Sequence, residues 1–263
     1  DTEFSKIVLK KIKKLKKKYF IIDFSNKNDF AKEKNSYRIS IGKFGKIIDL
    51  IKQQKSNKVL FAGKIAKPKF STLRLDLKGI YYMPSIVKAA KLGDAAIIKV
   101  IIEILKNEKI EVISSIYFNP ELTGKKGLHT KIKPSPADIK SIHRGIKYLA
   151  KTNSYDHIQA LVVRDNKIIA KEDNRGTKKM MTKLKNYGGI LIKFPKKKQD
   201  LRIDLPTIGI QTIKDCKKYG LKGIVLKSKK NIFLNKSKSI EFADKNKIFI
   251  LIKWKKYLCL QEN

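Results

Sequence analysis

Near the N-terminus, apolar residues recur at a spacing typical of a helix. In "SKIVLKKIKKLKKKYF" the apolar residues Val8, Ile12, Leu15 and Tyr19 are spaced at i, i+4, i+7 and i+11. This spacing predicts a helix with one buried face and with lysines on the other face. A solvated surface helix is the first interpretation, and a helix lying on a membrane surface is the second.

Short apolar runs of strand length alternate with helical patterns after this segment. The runs are "YFIIDF", "KVLFAGKI" and "IEVISSIYF", with the helical pattern "KFGKIIDLIKQQ" between the first two. The block from Pro84 to Lys109 predicts two helices separated at Gly93–Asp94. Strands separated by helices of about 10 to 15 residues are typical of parallel βαβ units. We therefore predict an N-terminal Rossmann-like parallel sheet with helices on both faces.

The stretch "GKKGLHTKIKPSP" loses this periodicity and is rich in Gly, Lys and Pro, which indicates a linker. We predict an N-terminal domain at residues 1–128, a linker at 129–136 and a C-terminal domain at 137–263. Ser135 and Asp138, with Pro136 between them, form a helix start.

The second half predicts a mixed α/β domain. "IQALVVRDNKIIAKE" is typical of a hairpin with an Asp-Asn turn. The other predicted elements are a helix from about Thr177 to Asn186, a helix that ends at Tyr219–Gly220, and strands at "GILIKF", "GIVLK" and "KIFILI".

Composition limits the class of protein. The chain has 263 residues, is 42% hydrophobic and carries a net charge of +39. Such a charge suggests nucleic-acid binding, but it is almost entirely lysine spread along the chain, and arginine is rare. We therefore expect no nucleic-acid partner. A non-catalytic basic module for nucleic acid or an anionic membrane stays open as an alternative.

The location of the protein is predicted from what the sequence lacks. It has no uncharged apolar run of about 18 residues and no signal-peptide pattern, so we expect a cytoplasmic protein. Cys216 and Cys259 fit a reducing compartment and lack metal-ligand spacing.

Common catalytic signatures are also absent. No glycine-rich dinucleotide fingerprint, P-loop or Gly-x-Ser-x-Gly motif follows a strand, and the histidines are scattered. What stands out is "QDLRIDLPTIGIQTI", where Asp204 follows "LRI" and precedes Pro206, so that we expect it in a loop at a strand end. Its carboxylate suits a divalent cation such as Mg²⁺, and it equally suits an ion pair with Arg202 or Lys193 or the cap of a turn.

Three other features each have two interpretations. Asp94 is a helix N-cap or a ligand contact. Gly63 is a turn glycine or a place where a ligand approaches the backbone. The segment "RGTKKMM" opens a helix whose free N–H groups suit phosphate oxygens, although many helices begin in this way without binding anything.

Several motifs together resemble a known family. "IGKFGKIIDLIK", "LFAGKIAKPKF", "PSIVKAAKLGDAAII", "LVVRDNKIIAKE", "RGTKKMM" and "KQDLRIDLPTIGIQTI" occur in the order expected of LpxI-type UDP-2,3-diacylglucosamine pyrophosphatases. The resemblance runs from about Ile7 to Ile252, and its most specific parts are "FAGK", "GDAA" and "QDLRIDLPTIG".

The resemblance implies a two-domain, Mg²⁺-dependent hydrolase of lipid A biosynthesis. Such an enzyme cleaves the pyrophosphate of UDP-2,3-diacylglucosamine to 2,3-diacylglucosamine 1-phosphate (lipid X) and UMP. It would hold the acyl chains in an apolar crevice between its domains. Because its substrate is amphipathic, we expect a peripheral position on the cytoplasmic face of the inner membrane.

The resemblance also implies roles for individual residues. The acid of the "DLPTIG" motif is the family's essential carboxylate, which makes Asp204 the expected catalytic residue. The expected metal ligands are Asp204, Asp200 and Glu172. The expected substrate-binding residues are Gly63, Lys64, Asp94, Gly176, Thr177, Lys193, Gln199, Arg202 and Thr207.

The sequence departs from the family at two places that matter. The family has Glu-Gly-Thr-Asp where this chain has Arg175 to Lys178, so two acids are replaced by bases. Either those acids are dispensable or metal binding is weaker here, and an inactive family member is the alternative. The chain opens "DTEFSKIV" at the helix expected after the family's first strand and glycine-rich turn, which we expect to be missing from the sequence.

Overall fold

The chain divides into two units between Asn119 and Pro120. The structure is a computed structural model, and it describes residues 2–25, 29–63, 70–151, 158–184, 188–196 and 199–253. The division lies ahead of the linker predicted at 129–136, because residues of the second unit's sheet already begin at Gly127.

The first unit is α/β, with strands that pair in parallel. Its elements are α1 (Thr2–Lys14), β1 (Ile21–Asp23), β2 (Ser36–Arg38), α2 (Phe44–Gln53), β3 (Lys58–Leu60), α3 (Leu77–Leu92), α4 (Asp94–Asn107) and β4 (Glu111–Ile113), with a 3₁₀ turn at Phe70–Thr72. Among the described residues, β1 pairs with β2 and β3 pairs with β4, giving two separate two-stranded sheets. The parallel pairing agrees with the sequence pattern, whereas the single Rossmann-like sheet stays a prediction.

The N-terminal helix buries less of its apolar face than its spacing predicted. Phe4 and Val8 are buried. The helix ends at Lys14, and Leu15, expected on the buried face, is 44% exposed. The lysines of this run therefore lie mainly in the last turn of α1 and in the segment that follows it.

The predicted break between two helices at Gly93 is confirmed. Gly93 has φ 110°, a conformation that glycine adopts readily, and it caps α4. Asp94, interpreted as the cap, is instead the first helical residue, where its charge faces the positive end of the helix dipole. The first helix of the pair begins at Leu77, before Pro84, because Asp76 caps it there.

Asp76 joins α2 and α3 through backbone hydrogen bonds. Its carboxylate accepts from the N–H of Gly79 at 2.8 Å, of Lys46 at 3.0 Å and of Gly45 at 3.2 Å. Burial would raise the pKa of Asp76, but these amides stabilise the charged form more strongly and lower it. One side chain thus caps the first turns of two helices.

A close backbone approach fixes α3 at the same place. A Cβ on Gly79 would lie 2.3 Å from the carbonyl oxygen of Gly42. Only glycine fits at this contact, so the start of α3 is held against the loop before α2.

No helix among the described residues has the length and apolar character to cross a bilayer.

The second unit is built on a mixed six-stranded sheet. Its elements are β5 (Gly127–Leu128), α5 (Pro136–Lys151), β6 (Ala160–Arg164), β7 (Lys167–Lys171), α6 (Gly176–Met181), β8 (Ile190–Lys193), β9 (Thr207–Ile208), α7 (Ile210–Lys218), β10 (Gly223–Lys227), β11 (Ile232–Phe233), α8 (Lys236–Lys245) and β12 (Phe249–Lys253), with a 3₁₀ turn at Pro120–Leu122. The strand order is β5-β12-β10-β8-β6-β7, and β9 pairs separately with β11. The predicted mixed α/β domain is confirmed.

Helices cover the sheet on both faces. Leu191, Ile224 and Leu226 pack with α6, α7 and α8 on one face. Ile192 and Val225 point the other way and pack with α5.

The helix start predicted for α5 is confirmed, since the Asp138 carboxylate accepts from the Ser135 N–H and hydroxyl.

Replacing Asp76 by alanine is expected to loosen the contact between α2 and α3. Hydrogen exchange of peptides from both helices, measured by mass spectrometry at pH 7, should accelerate by the equivalent of about 1–2 kcal/mol. Because the folded pKa of Asp76 is lowered, its contribution is present above the unfolded pKa of about 3.9 and is lost as pH falls through the folded pKa. The difference from wild type should therefore shrink near pH 3.

A matched control is Glu111→Ala, since the Glu111 side chain is 63% exposed and pairs only loosely with Lys58 at 3.7 Å. Its exchange should match wild type. Unchanged exchange in Asp76→Ala at pH 7 would contradict the capping role.

Candidate functional site

The candidate site lies at one edge of the second unit's sheet. Strands β8, β10 and β12 run parallel, and β7 has the same direction because both β7 and β8 are antiparallel to β6. Their carboxyl ends therefore share an edge with the first residues of β6. In α/β sheets this edge is where ligands usually bind.

Three predicted residues meet there in a hydrogen-bonded chain. The hydroxyl of Thr177 donates to Oε1 of Glu172 at 2.6 Å and accepts from the ammonium of Lys193 at 3.0 Å. The other oxygen of Glu172 accepts from the N–H of Gln159 at 3.0 Å. Glu172 is 9% exposed, so a buried carboxylate orients a hydroxyl that in turn holds a lysine.

The sequence pattern explains how these three residues converge. Glu172 follows the last residue of β7, and Lys193 is the last residue of β8. Lys193 follows the α5-facing Ile192, so strand alternation directs it to the opposite face, where Thr177 lies in the first turn of α6. Two strand ends and one helix start thus supply one cluster, with Thr177 5 residues from Glu172 and 16 residues from Lys193.

Asn231 braces the candidate site, and the sequence reasoning missed it. It is 1% exposed; its Nδ2 donates to the carbonyl of Lys193 and its Oδ1 accepts from the N–H of Lys227, both at 2.9 Å. One side-chain amide thus ties the ends of β8 and β10 together. The only signal for it in the sequence was a polar residue directly before the apolar pair Ile232–Phe233.

The loop that carries Asp204 is attached to this edge through β9 and β11. The N–H of Ile232, next to Asn231, donates to the carbonyl of Pro206 at 3.0 Å, and Thr207 pairs with Ile232 in a parallel bridge. The Thr207 hydroxyl donates to the carbonyl of Leu205 at 3.1 Å. Asp204 itself is partly buried.

Asp204 follows a turn instead of the strand expected at "LRI". The N–H groups of Ile203 and Asp204 both donate to the carbonyl of Asp200, at 3.2 and 2.9 Å. Its predicted location in a loop ahead of a helix is confirmed, since α7 begins at Ile210.

Asp200 and Arg202 bind each other. The guanidinium of Arg202 donates to both oxygens of Asp200, at 3.0 Å from Nε and 2.7 Å from Nη2. Hydrogen bonding to Asp200 raises the pKa of Arg202. An expected metal ligand and an expected substrate-binding residue therefore form one bidentate ion pair that braces the turn.

Gln199 has a buried donor that the described residues do not satisfy. Its side chain is 7% exposed, and its Oε1 accepts from the N–H of Lys196 at 2.9 Å. Among the described residues its Nε2 has no hydrogen-bond partner. An unsatisfied buried donor costs about 1–3 kcal/mol in the folded protein.

The residues that depart from the family pattern lie beside Gly176. Arg175 binds Asp173 through Nε at 3.0 Å, and hydrogen bonds from Arg175 lower the pKa of Asp173. Gly176 has φ 87°, and a Cβ built on it would meet no atom within 4 Å. There is consequently open space beside the backbone at the start of α6. Nothing in the structure explains Lys178.

The remaining predicted residues belong to the first unit. Gly63 has φ 101° and is exposed just after β3. Asp94 is exposed at the start of α4. Lys64 lies outside the described residues. Gly63 and Asp94 therefore belong to a different unit from Glu172, Thr177 and Lys193.

No metal site of several protein ligands is formed by the described residues. No three His, Cys, Asp or Glu side chains among them come together as metal ligands. Asp204, Asp200 and Glu172 are not gathered into one cluster.

Burial raises the pKa of the Cys216 thiol, as expected for a packing residue.

The fold and the site define an α/β protein of two units whose second unit holds a carboxylate, a hydroxyl and a lysine at a sheet edge. Two family models match this chain: the LpxI N-terminal domain at residues 3–122 and the LpxI C-terminal domain at residues 125–251. It is also similar to the UDP-2,3-diacylglucosamine pyrophosphatase LpxI of Caulobacter vibrioides. The two are 30% identical over 224 residues, which cover 81% of this chain and 80% of that protein. The chain belongs to the LpxI family.

Replacing Thr177 by valine tests how strongly the stability of the cluster depends on the shared hydroxyl. The variant leaves Oε1 of the buried Glu172 without this donor and removes an acceptor from Lys193. We expect the free energy of unfolding, measured in urea, to fall by about 1–3 kcal/mol. The control is Thr182→Val, which removes an exposed hydroxyl that donates to a backbone carbonyl, and it should change stability by less than about 0.5 kcal/mol. Equal losses in both variants would refute the buried role.

Proposed function

We propose that the protein hydrolyses the pyrophosphate bond of UDP-2,3-diacylglucosamine in lipid A biosynthesis. The products would be 2,3-diacylglucosamine 1-phosphate (lipid X) and UMP. The observation that carries the proposal is the chain of hydrogen bonds from Lys193 through Thr177 to Glu172 at a sheet edge to which the Asp204 loop is attached. Membership in the LpxI family supports the substrate class.

The role of Lys193 follows from the charge of the substrate. A pyrophosphate diester carries two negative charges, and more charge develops on the leaving phosphate as the bond breaks. A lysine whose position is set by Thr177 and Glu172 places a fixed positive charge against those oxygens. Such preorganised charge is most effective where water is limited.

Asp204 is the proposed catalytic carboxylate. It would accept a hydrogen bond from the attacking water and orient the oxygen toward one phosphorus atom. As the new P–O bond forms, the bond from that phosphorus to the bridging oxygen breaks, and Asp204 takes the proton of the water. The hydrogen bond from its N–H to the carbonyl of Asp200 and the strand pairing at Thr207 limit its motion.

Gln199 is a proposed substrate-binding residue. Its Nε2 is a buried donor without a partner among the described residues, and phosphate, sugar and uracil all offer oxygen acceptors. The space beside Gly176 would allow a phosphate oxygen to approach the start of α6. Arg202 and Thr207 would support this loop, since their polar groups bind Asp200 and Leu205.

The carboxylates also suit Mg²⁺ as a cofactor. Mg²⁺ usually binds one or two carboxylates together with waters and substrate phosphate oxygens, so it needs no closed cluster of protein ligands. We propose that Asp204 would hold it, whereas Asp200 and Glu172 would join it only by releasing their present partners Arg202 and Thr177. When bound, it would neutralise phosphate charge and make a water more acidic.

The base at Arg175 is compatible with activity. Its guanidinium is bound by Asp173, so the charge that replaces a family acid is paired locally instead of facing the ligand. This pairing favours an active enzyme over an inactive family member.

The proposal places the enzyme on the cytoplasmic face of the inner membrane as a peripheral protein. The lipid of the proposed substrate is embedded in that membrane. A chain with net charge +39 is attracted to an anionic surface.

Replacing Asp204 by asparagine should abolish most of the hydrolysis. We expect kcat for UMP release from UDP-2,3-diacylglucosamine to fall at least about 100-fold, because the amide cannot accept the proton of water. The control is Asp165→Asn, the same chemical change in the exposed β6–β7 turn at the opposite edge of the sheet. Activity of Asp204→Asn near that of Asp165→Asn would disprove the assignment.

Removing divalent metal should stop the reaction of the wild-type protein. With a chelator present, UMP release is expected to disappear, and excess Mg²⁺ is expected to restore it because neutralisation of the phosphates returns. Full activity in the chelator would exclude the metal from the proposal and leave the roles of Lys193 and Asp204 to be tested alone.

A further inference from the structure

Helix α3 is apolar on two opposite sides. Gly79, Ile86 and Ala89 are buried against the rest of the first unit. The opposite side, which we call the outer face of α3, is exposed and consists of Leu77, Ile80, Tyr81, Pro84, Val87 and Leu92. Large apolar side chains exposed together on one helix face are normally covered, so this face is expected to contact something.

The first two turns of the outer face form a continuous apolar stripe and not a scatter of single residues. Leu77, Ile80, Tyr81 and Pro84 are spaced at i, i+3, i+4 and i+7, which places them in one row along the helix. Leu77 is 86% exposed, Tyr81 76% and Ile80 60%. These are large side chains that solvent does not favour.

The position of this stripe is set by contacts on the other side of the helix. Asp76 caps α3, and Gly79 lies so close to the carbonyl of Gly42 that a Cβ there would clash. The helix therefore presents its outer face as part of a fixed surface.

The charge around the stripe indicates the partner. Residues 77–92 contain no Asp or Glu, and Lys88 and Lys91 are exposed one and two turns beyond Pro84 on the same face. Lys78 is already paired with Glu108 at 2.6 Å, so Lys88 and Lys91 supply the positive charge of the outer face. Leu and Tyr flanked by lysines match the composition of helices that lie in the interface of an anionic bilayer.

We propose that the outer face of α3 lies on an anionic phospholipid bilayer, with Leu77, Ile80 and Tyr81 in the interface and Lys88 and Lys91 beside lipid phosphates. This surface rests on the proposed function insofar as the substrate is a membrane lipid. It differs from the sequence-based interpretation of α1, whose apolar Phe4 and Val8 are buried inside the first unit.

The test is vesicle binding by the full chain in the absence of substrate. Wild-type protein is expected to cosediment with phosphatidylglycerol vesicles and to bind phosphatidylcholine vesicles at least about tenfold more weakly. The double variant Ile80→Asp/Tyr81→Asp should weaken binding to the anionic vesicles about tenfold or more. Lys88→Glu/Lys91→Glu should weaken it by a similar factor, with the larger effect at low salt.

The control is Tyr117→Asp, which replaces an aromatic residue that is 60% exposed outside α3. It should bind vesicles as wild type does, and circular dichroism melting curves should show that all variants fold. Hydrolysis of detergent-solubilised substrate should be unchanged in Ile80→Asp/Tyr81→Asp, whereas hydrolysis of vesicle-embedded substrate should slow about tenfold with the loss of binding.

Three results would overturn the proposal. One is failure of the wild type to bind anionic vesicles, and another is equal binding by wild type and Ile80→Asp/Tyr81→Asp. The third is a wild-type dimer that this variant converts to a monomer, which would assign the face to a second copy of the chain. Vesicle binding without any hydrolysis would support the surface and count against the proposed function alone.

Discussion

The buried amide of Asn231 is the interaction on which the candidate site depends. By donating to the carbonyl of Lys193 and accepting from the N–H of Lys227, it joins two central strands where their pairing with each other ends. Lys193 is thereby held where Thr177 and Glu172 meet it. The neighbour of Asn231, Ile232, pairs with the Asp204 loop, so the same turn attaches the second part of the site.

Acids are scarce in this chain, and several of the described ones have specific structural roles. Asp200 binds Arg202, Asp173 binds Arg175, and Asp76 caps two helices through backbone amides. The excess of lysine therefore stays on the surface, where it raises the attraction to anionic partners without setting the fold. Glu172 is a buried acid whose hydroxyl partner, Thr177, also binds Lys193, and this arrangement positions the charge of the lysine.

The elements predicted best are those whose signals lie close together in the chain. The hairpin turn at Asp165–Asn166 has both residues at positive φ, and Ser135 with Asp138 begins α5 as a reciprocal cap. The break at Gly93 lies where it was expected. The failures are at "LRI", which is a turn, and at Leu15, which is exposed, because local periodicity does not report where a helix or strand stops packing against its neighbours.

The sequence by itself determined the α/β class, the capped helices, the hairpin and, through its resemblance to a family, the residues expected in the site. These features depend on neighbouring residues or on motif order. Only the tertiary structure decided that Lys193, Thr177 and Glu172 share hydrogen bonds, that Asp200 is bound by Arg202, and that Asn231 joins two strand ends. It also decided which of the two apolar sides of α3 is buried, since helical spacing is the same for both and only packing distinguishes them.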